Sequence, residues 1–416
     1  EPASTQCKCG CALRRMGEDI TEKLDYAPGD FTVEQHIRGR WVCDECETFE
    51  QEPMPAYVID KGSATPGLLA QVLVNKYADH LPHYRQEAIF GRAGLGISRS
   101  TLSSAFQGAG FLPGVITRDR NQTETSRSLE DYLSIAVSDE RVAKGRAAFS
   151  RFGGLLTALE DRYGVDASII TAIWGLESFY GTRRGNVPVV SALSTLAYDG
   201  RRGAFFEGEL IAALKIIQAG DATVETLRGS WAGAMGHTQF MPSSWHAFAV
   251  DFTADGKRDI WSDDPTDALA STAAYLAGKG WVTGAPWGAE VTLPPGFDYD
   301  LTTERVKKPV ADWQAMGVRL ADGTDLPDHG PASVLLPGGH RGAAFLIFQN
   351  FHVIETYNTA DAYVIAVGHL ADRLRGAGPI LAPWPRDERA LSFDERVALQ
   401  KRLTAAGFDT GGIDAK

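Results

Sequence analysis

A single carboxylate, Glu177, sits in "TAIWGLESFYG" (residues 171–181), among residues that are otherwise apolar, aromatic, small or uncharged. An acid in such surroundings is either an ion-paired structural group or a titratable group kept for chemistry. Desolvation raises a carboxyl pKa, and a carboxyl that is protonated near neutral pH can act as a general acid. A second stretch weights the choice toward chemistry. "GSWAGAMGHTQFMPSSW" (residues 229–245) sets the small Gly229, Ala232, Gly233, Ala234 and Gly236 beside the hydrogen-bonding Ser230 and Gln239 and the apolar Trp231, Met235, Phe240 and Met241. Small residues let backbone approach a bulky ligand. Polar donors next to flat apolar faces suit a sugar ring, which has hydroxyl edges and C–H faces. A purely structural loop would be rich in Gly and Ala without also carrying Trp, Met and Gln.

Two further groups have the residue types of metal sites. All five cysteines, Cys7, Cys9, Cys11, Cys43 and Cys46, lie in the first 46 residues, and the other 370 have none. A disulfide framework would recur along a secreted chain, whereas thiolates at short spacing on two turns close a tetrahedral zinc site. Cys43-x-x-Cys46 supplies one half, and Cys7-x-Cys9-x-Cys11 offers three thiols where two are needed. The other group is "DFTADGKRDIWSDDPTDAL", in which Asp251, Thr253 and Asp255 fall at EF-hand positions one, three and five and Gly256 at six. Position twelve is Ser262, so a standard EF-hand fails. The alternative is an Asx-rich turn leading into a helix capped at Asp264–Pro265.

Elements must hold these groups in place. Leu155, Leu159 and Tyr163 at helical spacing predict a core-facing helix, and a second helix runs from a cap at Asp166 to a stop at Gly181. Ile170, Ile173, Glu177 and Tyr180 share one face of it, with Trp174 one turn before Glu177. Residues 67–90 read as helix (Leu68, Leu69, Val72, Tyr77), with His80 and His83 as packing or surface groups. Residues 284–350 shift to strand and turn signals, "AEVTLPPGFDYDL" and "PASVLLPGGHRGAAFLIF", and predict a small β-rich insertion. The fold class is α+β, mostly α.

The 416 residues, 44% hydrophobic and 23% charged, describe ordinary globular protein of two or three domains. A net charge of -12 argues against broad nucleic-acid contact, and residues 1–100 hold 11 Lys+Arg against 15 Asp+Glu. No stretch of 18 apolar residues exists to span a membrane. The opening "EPASTQCKCG" shows no signal peptide, which fits a fragment. No P-loop, HExxH, GxSxG or dinucleotide fingerprint appears, and there is no internal repeat or low-complexity run. A monomer without a small-molecule cofactor is expected.

Two resemblances organise the chain. "GEDITEKLDYAPGDFTVEQHIRGRWVCDEC", "YVIDKG", "GLLAQVLVNKYADHLPHYRQE" and "GRAGLGISRSTL" make residues 1–103 similar to the zinc-binding region of insertion-sequence 66 family transposases. That family usually opens with C-x-x-C, whose first cysteine falls on Gln6. Cys9, Cys43 and Cys46 carry over as zinc ligands, with Cys7 or Cys11 as the fourth. The acidic catalytic domain that follows in that family is absent.

Residues 104–386 resemble the membrane-bound lytic murein transglycosylase B family through "IWGLES", "ALSTLAYDGRRGAFFEGEL", "GSWAGAMGHTQFMPSSW" and "ETYNTADAYVIAVGHLADR". The resemblance implies a lysozyme-like catalytic core. Glu177 matches the catalytic acid, and Ser230 and Gln239 match cleft residues. Tyr275, Tyr357, Asn358 and Tyr363 match residues lining sugar subsites, and Arg201 and Arg202 match a basic pair near the glycan groove. It also implies a calcium site with an enlarged loop, in which Asp267 and the Lys257 carbonyl join Asp251, Thr253 and Asp255. Phe179 and Thr356 depart from the Asn and the basic residue common at their positions, which leaves subsite preference open. Residues 387–416 resemble the truncated start of a peptidoglycan-binding module (Leu399, Gln400, Leu403, Gly407, Phe408, Asp414).

A lone acid implies substrate assistance, since most glycosidases use two carboxylates. The resemblance implies that Glu177 cleaves the MurNAc–GlcNAc bond of peptidoglycan strands without water and leaves 1,6-anhydro-MurNAc ends. It places the protein in the periplasm or cell envelope. The rival readings are a transposase-derived, zinc-dependent DNA-binding protein without transposase catalysis, and a non-catalytic glycan binder.

Overall fold

A computed structural model describes residues 6–9, 11–27, 30–52, 64–77, 81–92, 110–120, 128–385, 391, 393–408, 410, 412 and 413. His80 and the junctions expected at 103/104 and 386/387 lie outside the described residues. The chain forms two compact units. One comprises Glu1–Asp119, Gly185–Ala247 and Ala254–Trp261, and the other Arg120–Arg184, Phe248–Thr253 and Ser262–Lys416.

In the first unit, strands β1 (Leu13–Ala27) and β2 (Asp30–Cys43) form a long antiparallel hairpin, and β3 (Phe49–Gln51) pairs with the far side of β2. The register runs from Leu13 opposite Cys43 to Ala27 opposite Asp30, with an irregularity between Arg15 and Gly17. This pairing brings Cys7, Leu13 and Cys43 into a small buried cluster at the hairpin base. The stretch expected as one helix over residues 67–90 is two, Pro66–Tyr77 and His83–Arg92. Pro82 explains the break: it lacks an N–H and disfavours helical backbone at Leu81. Its carbonyl restarts the helix by accepting from Arg85 N (2.8 Å) and Gln86 N (3.1 Å). Leu68, Leu69, Val72 and Leu73 are buried, and their helix packs on the helices Val189–Asp199 and Gly203–Ala219.

The second unit is built around the helix Ala167–Ser178, which carries Glu177. Its sequence suggests one apolar face, yet Ile169, Ile170, Ala172, Ile173 and Trp174 are all buried. The helices Asp139–Arg151, Gly153–Tyr163, Thr266–Gly278 and Asp361–Leu374 enclose it. Each buried Ile stabilises by about 1.5–3 kcal/mol, so the Glu177 helix is anchored at the centre of this unit. A four-stranded antiparallel sheet follows in the order Arg319–Leu320, Gly288–Thr292, Ala344–Ile347 and Ser333–Leu335. Its core holds Val291, Val310, Trp313, Val334, Leu346 and Phe348, and the Trp313 indole donates to Ala332 O at 2.9 Å. The chain then runs to the helix Phe393–Ala405. Among the described residues no helix is long and apolar enough to cross a membrane.

Candidate functional site

Glu177 lies in the last turn of its helix and is half-buried. Tyr363, near the start of the helix Asp361–Leu374, donates its hydroxyl to Glu177 Oε1 at 2.6 Å. This length is typical of an O–H donor facing a carboxylate. Tyr363 is only 5% exposed. Burial first, and then the nearby Glu177 charge, push its phenol far above the usual tyrosine range, so it remains a proton-bearing donor. The helix expected to stop at Gly181 ends earlier. Phe179 and Tyr180 already take left-handed backbone, at φ 53° and 58°.

Tyr363 also lines a pocket of about 300 Å³ with Ser128, Tyr132, Pro337, Asn358 and Asp361. Asn358 fixes its own turn by accepting from Ala360 N at 3.1 Å. Tyr275 and Tyr357 stack edge to face at 5.0 Å, and the Tyr275 hydroxyl donates to Thr356 O at 2.5 Å. Thus Tyr275, Tyr357, Asn358, Tyr363 and Glu177 all belong to the second unit, and Tyr363 joins the acid to the pocket. Burial, with Glu355 nearby, holds the Asp361 carboxyl above its ordinary value. Sequence reading singled out neither Tyr132, which stands in no signature, nor Asp361, which lies inside "ETYNTADAYVIAVGHLADR" without being marked. An aromatic and an acid at two helix starts, Leu129–Ala136 and Asp361–Leu374, were the only available signal.

Ser230 and Gln239 belong to the first unit. Ser230 Oγ accepts from Ala232 N (3.3 Å) and Ala234 N (3.1 Å), and Gln239, at φ 54°, donates to Gly236 O at 2.8 Å. Two of the small residues of this loop, Gly229 and Gly236, face the protein's own backbone. A side chain on Gly229 would meet Ala234 O at 2.1 Å, and one on Gly236 would meet Ile260 O at 2.2 Å. These glycines let the protein's own backbone segments close together. Met235 and Phe240, expected as sugar-facing surface, are core residues at 0% and 2% exposure. Arg201 forks onto Asp119, with Nε to Oδ2 and Nη2 to Oδ1 both at 2.7 Å, and Arg202 reaches the same carboxylate at 3.3 Å. Arg201 holds the buried Asp119 carboxyl below the usual range. The basic pair therefore carries a structural counter-ion that the sequence reading did not identify.

Phe179 is buried rather than presented to a ligand, and Lys144 Nζ lies 4.2 Å from its ring centre, with the Arg183 and Arg141 guanidinium groups at 4.7 and 5.2 Å. Its departure from Asn bears on the helix end, where Asn tolerates left-handed backbone better.

Four of the five cysteine sulfurs converge. Cys7 to Cys46 is 3.2 Å, Cys9 to Cys43 3.5 Å and Cys9 to Cys46 3.6 Å. A tetrahedron of sulfurs 2.3 Å from a zinc ion has edges of about 3.8 Å, so the set fits zinc. The fourth member is Cys7, while Cys11 packs beside the cluster outside the four. Without an ion, hydrogen bonds from Thr48 first and then from Cys7 lower Cys46 to about 6. At Cys7 a lowering backbone bond at Cys9 is outweighed by the neighbouring Cys46 and Cys9 sulfurs, which raise it to about 12. Of the expected calcium donors, Asp251, Thr253 and Asp267 belong to the second unit, Asp255 and Lys257 to the first. Asp267 is buried, and its Oδ1 accepts from Phe252 N (2.9 Å) and Thr253 N (3.1 Å). Asp255 Oδ1 accepts from Lys257 N at 2.9 Å. A group that the sequence reading missed, Glu304, His352 and Glu355, also brings potential ligand atoms together.

The family described as transglycosylase SLT domain matches residues 87–372, and the zinc-finger binding domain of transposase IS66 matches residues 4–47. The chain is 34% identical over 246 residues to membrane-bound lytic murein transglycosylase B of Escherichia coli (strain K12), covering 58% of this chain and 65% of that protein. It thus spans just under two thirds of that relative's length. The crystal structure of SltB3 from Pseudomonas aeruginosa in complex with NAG-anhNAM-pentapeptide matches with a TM-score of 0.74 and 46% identity, over 82% of this chain and 90% of that one. The Escherichia coli lytic transglycosylase Slt35 in complex with calcium matches with a TM-score of 0.59 and 29% identity, over 74% of this chain and 92% of that one.

Proposed function

The chain belongs to the transglycosylase SLT domain family, and from that premise we propose that it is a peptidoglycan lytic transglycosylase that uses Glu177 as its only acid and base. Glu177 protonates the glycosidic oxygen between MurNAc and GlcNAc, and the bond from that oxygen to MurNAc C1 breaks. The MurNAc N-acetyl group steadies the oxocarbenium-like centre, which a second carboxylate serves in other glycosidases. Glu177, now ionised, takes the proton of the MurNAc C6 hydroxyl. That oxygen closes on C1 to form a 1,6-anhydro ring, and the acid is restored without water.

The observation that carries this reading is the Tyr363 hydroxyl on Glu177 Oε1, beside a pocket lined by Tyr363, Tyr132 and Asn358. One donor suits both halves of the cycle, because it orients the acid and then stabilises the carboxylate it becomes. Acid–base catalysis of this kind is worth roughly 10²–10⁴-fold, and the rest must come from holding the glycan. Tyr275, Tyr357 and Asn358 are proposed to line sugar subsites, with Ser230, Gln239 and the Arg201–Arg202 pair as further glycan contacts. No catalytic cofactor enters this chemistry, and the substrate implies work in the cell envelope.

Two metals are proposed as structural. Zinc is held by Cys7, Cys9, Cys43 and Cys46 and supplies the cross-link for a hairpin whose base, among the described residues, buries a small cluster of Cys7, Leu13 and Cys43. Calcium draws on Asp251, Thr253 and Asp267, with Asp255 and Lys257 following from the loop pattern. DNA binding through the zinc module is the weaker reading, given the acidic balance of residues 1–100. Mass spectrometry of digested sacculi tests the whole. The parent protein releases anhydro-muropeptides, and Glu177→Gln releases none. Hydrated ends, or release by Glu177→Gln at the parent rate, would overturn the mechanism.

A further inference from the structure

The end of the Glu177 helix breaks several local rules at once. Phe179 and Tyr180 are consecutive left-handed residues, a conformation that costs a residue with a side chain roughly 1–2 kcal/mol. Gly175 stands inside the helix, and Gly145 stands inside the neighbouring helix Asp139–Arg151, where each is about 1 kcal/mol worse than Ala. Local conflicts of this kind gather where function demands them.

One side chain reconciles all of them. A methyl on Gly175 would lie 2.6 Å from the Tyr180 ring, and a methyl on Gly145 would lie 2.3 Å from its hydroxyl oxygen and 2.5 Å from Leu374 Cδ2, which shares that space. The ring therefore fills the slot that the two missing side chains leave between the helices. Its hydroxyl donates to Arg141 O at 2.9 Å, and Trp174 meets it edge to face at 5.8 Å. The backbone of the reversal is closed as well. Tyr180 N donates to Trp174 O (3.3 Å), Phe179 N to Gly175 O (3.1 Å), and Arg183 N to Ser178 O (2.8 Å). Gly181 N donates to Ser178 Oγ at 2.9 Å.

Helix ends fray, because their last carbonyls lack partners. Glu177 is the penultimate helical residue, yet it must stay within hydrogen-bond reach of a tyrosine on another helix. We propose that Tyr180 is the positioning residue of Glu177, a plug seated between Gly145 and Gly175 that locks the left-handed reversal and holds the acid opposite Tyr363. This rests on the reading of Glu177 as the general acid. Phe179, gripped by Lys144, Arg183 and Arg141, braces the same reversal from the cationic side.

The test compares Tyr180→Leu, Tyr180→Phe, Gly145→Ala and Glu177→Gln, with kcat and KM measured on soluble glycan strands. A misplacement near 1 Å costs about 10²-fold, so Tyr180→Leu should lower kcat roughly 10- to 100-fold with KM within about threefold. Gly145→Ala pushes the plug from a different helix and should reproduce that pattern. Tyr180→Phe keeps the ring in its slot and should restore kcat to within about fivefold of the parent, losing only the Arg141 bond. The proposal is overturned if Tyr180→Leu and Gly145→Ala keep the parent kcat while Glu177→Gln is inactive. It is equally overturned if kcat and thermal stability fall while KM rises, with Tyr180→Phe no better than Tyr180→Leu. Should Tyr180→Leu not fold, Gly145→Ala against Tyr180→Phe decides by the same comparison. An active Glu177→Gln would instead overturn the reading of Glu177 itself.

Discussion

Removing a single oxygen probes the centre of the mechanism. In Tyr363→Phe the ring stays in its buried place and only the hydroxyl facing Glu177 Oε1 at 2.6 Å is lost. Hydrogen bonds to charged groups are worth about 1.5–3 kcal/mol, and each 1.36 kcal/mol of barrier is tenfold in rate. Complete loss of the bond in the transition state would slow the reaction roughly 10- to 150-fold. Part of that bond already exists before the sugar reacts, and only the part that strengthens along the path counts toward kcat. The expected fall in kcat is therefore roughly 3- to 50-fold, with KM within about threefold, because the phenyl ring still lines the pocket. Turnover on soluble glycan strands, read by mass spectrometry of anhydro ends, supplies both constants. A Tyr363→Phe enzyme within about twofold of the parent kcat would refute the idea that this donor matters to the acid's cycle.

The cysteine site predicts that Cys11→Ser binds zinc at the parent stoichiometry, while Cys7→Ser loses tight binding; metal analysis after dialysis reads both, and equal retention by the two variants would contradict the four-sulfur set. The contribution of Glu304 to stability should fall as pH rises from about 4.5 to about 7, because burial and the neighbouring Glu355 raise its carboxyl from 4.5 to about 7 in the folded state. In that window the folded chain holds a proton that the unfolded chain releases, and below and above it the contribution is flat. With Glu304 30% exposed, the loss is on the order of 1–2 kcal/mol. Urea midpoints at about pH 5 and pH 7.5 should differ less for Glu304→Gln than for the parent; identical shifts would count against the assignment.

Much of this was legible along the chain. Glu177 stands out because an acid in an apolar run is locally anomalous, and Cys43-x-x-Cys46 because ligand spacing on a turn is itself local. The strand signals over residues 284–350 were likewise readable, since side-chain alternation is a property of neighbours. Where the reading went astray, the missing information was tertiary. Gly229 and Gly236 looked like room for a ligand, but the atoms they make room for are Ala234 O and Ile260 O. Met235 and Phe240 looked like a sugar platform, but they face the core. Composition says that space or apolar surface is present and does not say what fills it.

The chain by itself determined the chemistry available: one carboxyl for proton transfer, five thiols for a metal and tyrosines for flat surfaces. Only the tertiary structure chose among them. It brought the Cys7 sulfur within 3.2 Å of Cys46 and left Cys11 outside the group of four. It set Tyr363 on Glu177 across 186 residues of sequence. It also packed the Tyr180 ring against Gly145 and Gly175, beside the left-handed reversal that follows Glu177. Residue type and spacing are local quantities, whereas a partner brought from elsewhere in the chain depends on how helices pack, which no window of sequence contains.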